Sequence, residues 1–365
     1  MEFKPTRKKW SKEDAVFETI SSMARRLGPE GQLPTVSQLC QTLSLSRSTL
    51  DRVLRKLEAR QIIKRVHGSG IYVSPHVGRK TVGFVVGQLI FDRGHSPFWV
   101  QLLQSAQEAV RQKSDDIRFY FECPSIKDTA IREGSHLHED LMARRLDGLL
   151  TVATAPQRTW LERWQIPVVG LGRQGKEHAT VDTNSNKTYA LGAECLLQAG
   201  CQSIGLLSVL PTFSGPSHQA MLSEALRVHG YTLDPGLVID PSIVGRSGTH
   251  DHYGQIVARE LFSDKGALQH VGKKLDGLFI VDDLLAYGFL HGLHRYGAHN
   301  RLKVATMCNE DSLLLQLYHQ DIFRIARRPD IEVKAMYALL SDCMNGRQPK
   351  PADLVIDPIL IPPAP

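Results

Sequence analysis

The chain has 365 residues, 42% hydrophobic and 22% charged. This is an ordinary globular composition, too long for one small domain, so two or three folding units are expected. Its formal charge of +6 is uneven: residues 1–80 hold 16 Lys and Arg against 7 Asp and Glu, leaving 28 against 31 in the other 285. A basic head on a mildly acidic body points to a polyanion, nucleic acid above all, as the partner of one part only.

The six cysteines (Cys40, Cys123, Cys195, Cys201, Cys308 and Cys343) contain no Cys-x-x-Cys pair. Several lie in apolar patterns, as expected of buried thiols in a reducing compartment. The start, MEFKPTRKKW, is basic with no apolar run behind it, and no stretch approaches the ~18 apolar residues of a membrane span. A cytoplasmic protein is expected.

Lys4, Arg7, Lys8 and Lys9 form a basic arm, either a solvated tail or a minor-groove contact. Ser11 and Asp14 make a capping box for a helix with Val16, Ile20, Met23, Ala24 and Leu27 on one side, ending near Gly28-Pro29. Leu33–Val73 then reads as two short helices and a two-stranded hairpin. Thr35 and Gln38 form a second capping box, and Ser44-Leu45-Ser46 ends that helix. Ser46 can cap the next helix, where Leu50, Val53, Leu54 and Leu57 recur at i, i+3, i+4, i+7. Its other face shows Arg47, Ser48, Asp51, Arg52 and Arg55. Ile62–Val66 and Ile71–Val73 alternate around the glycine-rich tip His67-Gly68-Ser69-Gly70.

A helix, a short turn, a second helix opening on arginine and a hairpin wing is an arrangement that fits a DNA major groove. The alternative is a helical bundle with a solvated basic face. The stretch resembles the winged helix-turn-helix of the gluconate-repressor (GntR) family. The resemblance rests on Leu33-Pro34, Leu39, Ser46-Arg47, Thr49, Arg52, Leu57-Glu58, Ile63 and Gly68 with Gly70. It departs at Val36-Ser37, where the family usually has Glu-Arg, and at Asp51, where a basic residue is common. The candidate DNA-binding residues are Thr35, Arg47, Ser48, Thr49 and Arg52, with His67 and Gly68 at the wing tip.

After the linker, apolar runs alternate with helical patterns from Thr81 onward. Near-continuous Val/Ile/Leu strands between helices predict parallel sheets covered on both faces, split into two doubly wound halves with ligand sites beyond the strands' carboxyl ends. Single helices are predicted near Asp128–Arg145, Tyr253–Leu268 and Ser312–Tyr318, and one strand over Leu354–Leu360. This body resembles the effector domain of the lactose/galactose-repressor (LacI/GalR) family, which is related to periplasmic sugar-binding proteins. The motifs carrying the resemblance include Leu146-Asp147-Gly148-Leu149-Leu150, Ile166-Pro167-Val168-Val169, Asp276-Gly277-Leu278-Phe279 with Asp282-Asp283, Val304–Asn309 and Arg327-Arg328-Pro329. The combination is similar to the arabinose-repressor type of hybrid regulator. It implies an α/β fold class with a small winged helix-turn-helix domain over residues 1–76 and a linker over 77–80. Residues 81–365 would form a two-lobed, periplasmic-binding-protein-like domain that binds effector and dimerises.

Gly170-Leu171-Gly172-Arg173-Gln174-Gly175-Lys176-Glu177 matches G-x-G-x-x-G. A short extended segment follows in place of a helix, and Glu177 stands where a phosphate loop needs Ser or Thr, so a turn is expected. His136-Leu137-His138 and His250-Asp251-His252 lack the i, i+4 spacing of a helical metal site, and no G-x-S-x-G elbow is present. No metal, cofactor or catalytic residue is assigned.

Asp282 and Asp283 follow an apolar strand and precede a helix, where one carboxylate can cap and the resemblance gives Asp283 a ligand. The resemblance also brings Arg173 and His218 to the cleft. Phe98 and Trp99 are candidates to stack on a sugar, and Asp92, Ser96, Asn184 and Asn309 complete the effector-binding set. The expected function is a ligand-responsive transcription regulator, a homodimer that binds an operator and a sugar-like effector and represses. The alternatives are an α/β enzyme or a sugar-binding module with a vestigial DNA-binding head.

Overall fold

A computed structural model describes residues 12–86, 98–121, 134–152, 164, 166–172, 179–208, 217–239, 249–318, 322–348 and 353–364. The basic arm, Ser11, Asp92, Ser96 and Arg173 lie outside the described residues, as does the start of the helix predicted near Asp128–Arg145. The chain divides into two compact units. One is Met1–Val82 with Ser114–Asp116 and Glu133–Asp147; the other is Gly83–Lys113, Ile117–Arg132 and Gly148–Pro365.

The head contains α1 (Lys12–Leu27), β1 (Gln32–Leu33), α2 (Val36–Leu43), α3 (Arg47–Ala59), β2 (Ile63–Val66) and β3 (Gly70–Val73). α2 begins at a reciprocal cap: Thr35 Oγ1 accepts from the Gln38 N–H, and Gln38 Oε1 accepts from the Thr35 N–H. It ends at Ser44, whose left-handed backbone (φ 51°) turns the chain toward α3. Ser46 caps α3 by accepting from the Thr49 N–H. Below it Leu50, Val53, Leu54 and Leu57 are buried with Ile20 of α1 and Leu39 of α2. Burial of each such side chain contributes about 1.5–3 kcal/mol.

β2 and β3 pair antiparallel, with Val66 opposite Gly70, around Gly68 at φ +72°. β1 adds a third strand, Leu33 opposite Ile71, so the wing is a three-stranded sheet in the order β1-β3-β2 where the sequence predicts a hairpin.

The chain continues in order with β4 (Thr81–Val85), α4 (Phe98–Arg111), β5 (Asp116–Tyr120), α5 (His136–Met142), β6 (Gly148–Thr151), β7 (Val168–Leu171) and β8 (Ala179–Thr183). Next come α6 (Ser185–Gln198), β9 (Ile204–Leu207), α7 (His218–Val228), β10 (Val238–Ile239), α8 (His250–Phe262), α9 (Gln269–Lys274), β11 (Gly277–Ile280) and α10 (Asp283–Arg295). The last elements are β12 (Lys303–Asn309), β13 (Ile322–Arg327), α11 (Pro329–Met344), β14 (Asp353–Ile356) and β15 (Ile359–Ile361). They build two six-stranded sheets, β14-β8-β7-β6-β4-β5 and β10-β9-β11-β12-β13-β15. Every residue of β6, β7, β9 and β11 is buried, as parallel strands covered on both faces require. The chain passes between the sheets three times: after β8, after β13, and between β14 and β15.

Three predicted elements differ. The helix predicted over Tyr253–Leu268 stops at Phe262, because the chain folds back so that the Leu268 N–H meets the Glu260 carbonyl at 3.0 Å. The strand predicted over Leu354–Leu360 is two strands in different sheets, divided at Asp357-Pro358, where proline has no N–H for the ladder. The predicted helix Ser312–Tyr318 is a 3-10 turn over Leu313–Tyr318. No described helix is long and apolar enough to cross a membrane.

Candidate functional site

Two groups of side chains carry the candidate chemistry, one in each unit. On the head, α3 presents Arg47 and Ser48 exposed in its first turn, with Asp51, Arg52 and Arg55 following on the face away from the core. Thr49 is half-buried, and its hydroxyl is hydrogen-bonded to Ser46 Oγ at 2.9 Å, so it belongs to the cap. Thr35 is exposed at the start of α2, and His67 and Gly68 are exposed at the wing tip.

Acidic partners hold most of the surrounding cations. Glu13 of α1 takes Arg52 at 3.2 Å and Lys56 at 2.9 Å; the Lys56 hydrogen bond holds its carboxyl below the ordinary range. Asp51 takes Arg55 and Arg65, each at 2.7 Å, and Arg65 is also bound by Glu58 at 2.7 Å. Hydrogen bonding to Arg65 lowers the pKa of Asp51, and hydrogen bonding to Glu58 raises that of Arg65. A notch of about 430 Å³ opens among Val36, Arg47, Ser48, Asp51, Leu54 and Arg65.

In the body, polar side chains gather at the carboxyl ends of the second sheet. Asp282 caps α10 by accepting from the Leu285 N–H at 2.8 Å. Asp283, only 3% exposed, accepts from Ser312 Oγ at 3.1 Å and from Asn309 Nδ2, at the end of β12, at 3.5 Å. The two adjacent carboxylates therefore have different tasks. Asp282 also meets His250 Nδ1 at 3.2 Å, and that hydrogen bond raises the imidazole pKa. His218 opens α7 and is hydrogen-bonded to Tyr189 Oη, whose ring packs 5.1 Å from Phe279.

Phe98 opens α4 with Trp99 edge-on at 5.2 Å, and the Arg327 guanidinium lies 4.5 Å over its ring. Arg327 also forks onto the fully buried Glu332, donating Nη2 to Oε2 at 2.8 Å and Nε to Oε1 at 3.1 Å. Thr183 Oγ1 donates to the same carboxylate at 2.6 Å. Asn184 caps α6 and donates to Asp357 at 2.9 Å. These contacts join the three inter-sheet crossings to one another.

Asp283 and Asn309 are thus brought together, Phe98 and Trp99 form a second pair, and His218 and Asn184 each bond elsewhere. Sequence reasoning missed Ser312, Tyr189, Arg327 and Glu332 as site residues. Only Arg327 had a local signal, standing two residues before a proline that opens a helix.

The model of the family described as "Bacterial regulatory proteins, gntR family" matches residues 16–73. No curated protein sequence is detectably similar to the chain. Several solved structures share its fold. The transcriptional regulator CelR in complex with cellobiose is 19% identical, with a TM-score of 0.61 over 90% of this chain and 98% of that one. A regulatory protein of the LacI family from Chloroflexus aggregans is 17% identical, with a TM-score of 0.59 over 77% and 96%. A LacI family transcriptional regulator from Enterococcus faecium, with bound ribose, is 17% identical, with a TM-score of 0.55 over 78% and 100%. Identities this low establish fold alone. The two-part architecture expected from the sequence, a winged head and a periplasmic-binding-protein-like body, is borne out.

Proposed function

We propose that this chain, whose residues 16–73 form a gntR-family winged helix-turn-helix, is a ligand-responsive transcription regulator. The head reads a double-stranded DNA operator, and the body binds a small polar molecule of the sugar class. The observation that carries this reading is the union of the two parts: a winged head exposing Arg47 and Ser48 on its second short helix, and a body with the fold of regulators solved with cellobiose and ribose.

Two copies of the chain present two heads to two half-sites, so the body supplies homodimerisation. Effector bound among Asp283, Asn309, Phe98 and Trp99 favours one arrangement of the body, and operator affinity changes by the difference in its binding to the two arrangements. Arg173, Asp92 and Ser96 belong to the same proposed site. The protein works in the cytoplasm and has no catalytic role.

Selection of random DNA by the purified chain, followed by gel-shift titration with and without mono- and disaccharides, tests the proposal. A selected sequence with two half-sites and a sugar-dependent shift is the expected result. Failure to select any sequence, or turnover of a sugar, overturns it.

A further inference from the structure

The carboxylate of Asp51 occupies an unexpected place. Arg47, Asp51 and Arg55 stand at i, i+4 and i+8 of α3, in a row that flanks the buried face, with Arg47 and Asp51 beside Leu54 in the notch. A negative charge on a surface that approaches phosphates is repelled, and Asp51 is not buried, its side chain being 37% exposed. It is also held in one orientation. Arg55 donates to Oδ2 and Arg65 to Oδ1, each at 2.7 Å. Arg65 cannot swing away, because Glu58 accepts from its Nε at 3.0 Å, its Nη2 at 2.7 Å and its backbone N–H at 3.2 Å. The wing strand and the helix thereby fix the carboxylate at the edge of the notch that Arg47 and Ser48 share.

Each carboxylate oxygen has a second lone-pair site, so the two arginines leave Asp51 able to accept further hydrogen bonds. In the major groove the base-edge donors are the N4 amino group of cytosine and the N6 amino group of adenine. Adenine is read by a side chain offering both an acceptor and a donor, and an ionised carboxylate has no donor for adenine N7. That leaves cytosine. We propose that Asp51 is a base-reading residue that accepts a hydrogen bond from cytosine N4, making one position of each half-site cytosine-specific. The assignment rests on the reading of the head as an operator-binding domain.

The test is selection of random DNA by the full chain and by its Asp51→Asn and Asp51→Ala variants, followed by titration against single-base variants of the selected site. The wild type should select cytosine at one position of each half-site. Asp51→Asn, nearly isosteric and able to present donor and acceptor together, should move that position to adenine. Asp51→Ala should lose the preference, binding the cytosine site roughly 10- to 100-fold more weakly relative to its other contacts. Identical selected sequences for all three proteins, with only a uniform change in affinity, would overturn the assignment and leave Asp51 as a prop for Arg65. If the wild type selects no sequence at all, the operator-binding reading fails first and takes this assignment with it.

Discussion

Arg327 has two simultaneous partners: its guanidinium forks onto the carboxylate of Glu332 and lies 4.5 Å over the ring of Phe98. Arg327 ends β13, Glu332 lies in the first turn of α11, and Phe98 opens α4. One side chain therefore ties an inter-sheet crossing to a residue proposed to face the effector.

Loss of Arg327 should be costly, because Glu332 has no exposed surface and would remain as a buried charge held, among the described residues, by the Thr183 hydroxyl. Breaking a buried pair from one side costs about 3–5 kcal/mol. Arg327→Ala should lower the unfolding free energy measured in urea by an amount in that range, less a discount for the partial exposure of Arg327, whereas Glu332→Gln should cost less because the charge it leaves behind, that of Arg327, is partly exposed. Equal losses in both variants would show that the charge of Glu332 is immaterial.

The crossing of α8 and α10 should tolerate no side chain at its centre. A Cβ on Gly288 would lie 1.8 Å from the Asp251 carbonyl oxygen, and one on Gly254 would lie 2.2 Å from that of Leu285. Both obstacles are backbone, so relief requires the helices to separate. Overpacking of this kind costs about 1–3 kcal/mol or more. Gly288→Ala should destabilise at the upper end of that range in a melting experiment, and Gly297→Ala, outside the crossing but at φ +65°, by less. A Gly288→Ala protein as stable as the wild type would mean that the two helices pack less closely than 1.8 Å implies.

The parts of this architecture that were legible in the sequence are those fixed by near neighbours. Thr35 with Gln38, Ser46 with Thr49, and the Leu50–Leu57 spacing each act within one or two helical turns, so the head could be read almost residue by residue. β1 could not, since its two residues become a strand only through pairing with Ile71 and Tyr72 far along the chain. Periodicity alone carried α8 past Phe262, where the return of Leu268 to Glu260 decides the outcome. The division of labour between Asp282 and Asp283 was visible as a cap beside a second carboxylate. The partners of the second, Ser312 and Asn309, come from another strand end, and the cover over Phe98 comes from a residue more than two hundred positions away.

In the proposed site that pair of aspartates would separate effector binding from stability. Asp283→Ala should lower affinity for a sugar identified from a panel by ten-fold or more, since a hydrogen bond to a charged group contributes about 1.5–3 kcal/mol. Asp282→Ala should instead cost about 1 kcal/mol of stability through the lost cap of α10. Calorimetric titration beside a melting curve distinguishes them. Unchanged sugar affinity in Asp283→Ala would remove that residue from the proposed site.

The His250–Asp282 contact makes the stability of the body depend on pH in a specific direction. Hydrogen bonding to Asp282 raises the imidazole pKa above its ordinary value of 6.5, with burial opposing and Asp251 and Asp283 adding to the rise. A group whose pKa is raised on folding stabilises the folded state fully below its unfolded value and loses that contribution as pH climbs through the folded one. The wild type should therefore be more stable than His250→Gln below about pH 6.5, and the gap should narrow as the pH is raised. Melting temperatures of the two proteins from about pH 5.5 to about pH 8.5 measure that gap directly. A gap that stays constant across the series, or widens with rising pH, would mean that His250 carries no extra proton in the folded protein and that its contact with Asp282 is a neutral hydrogen bond.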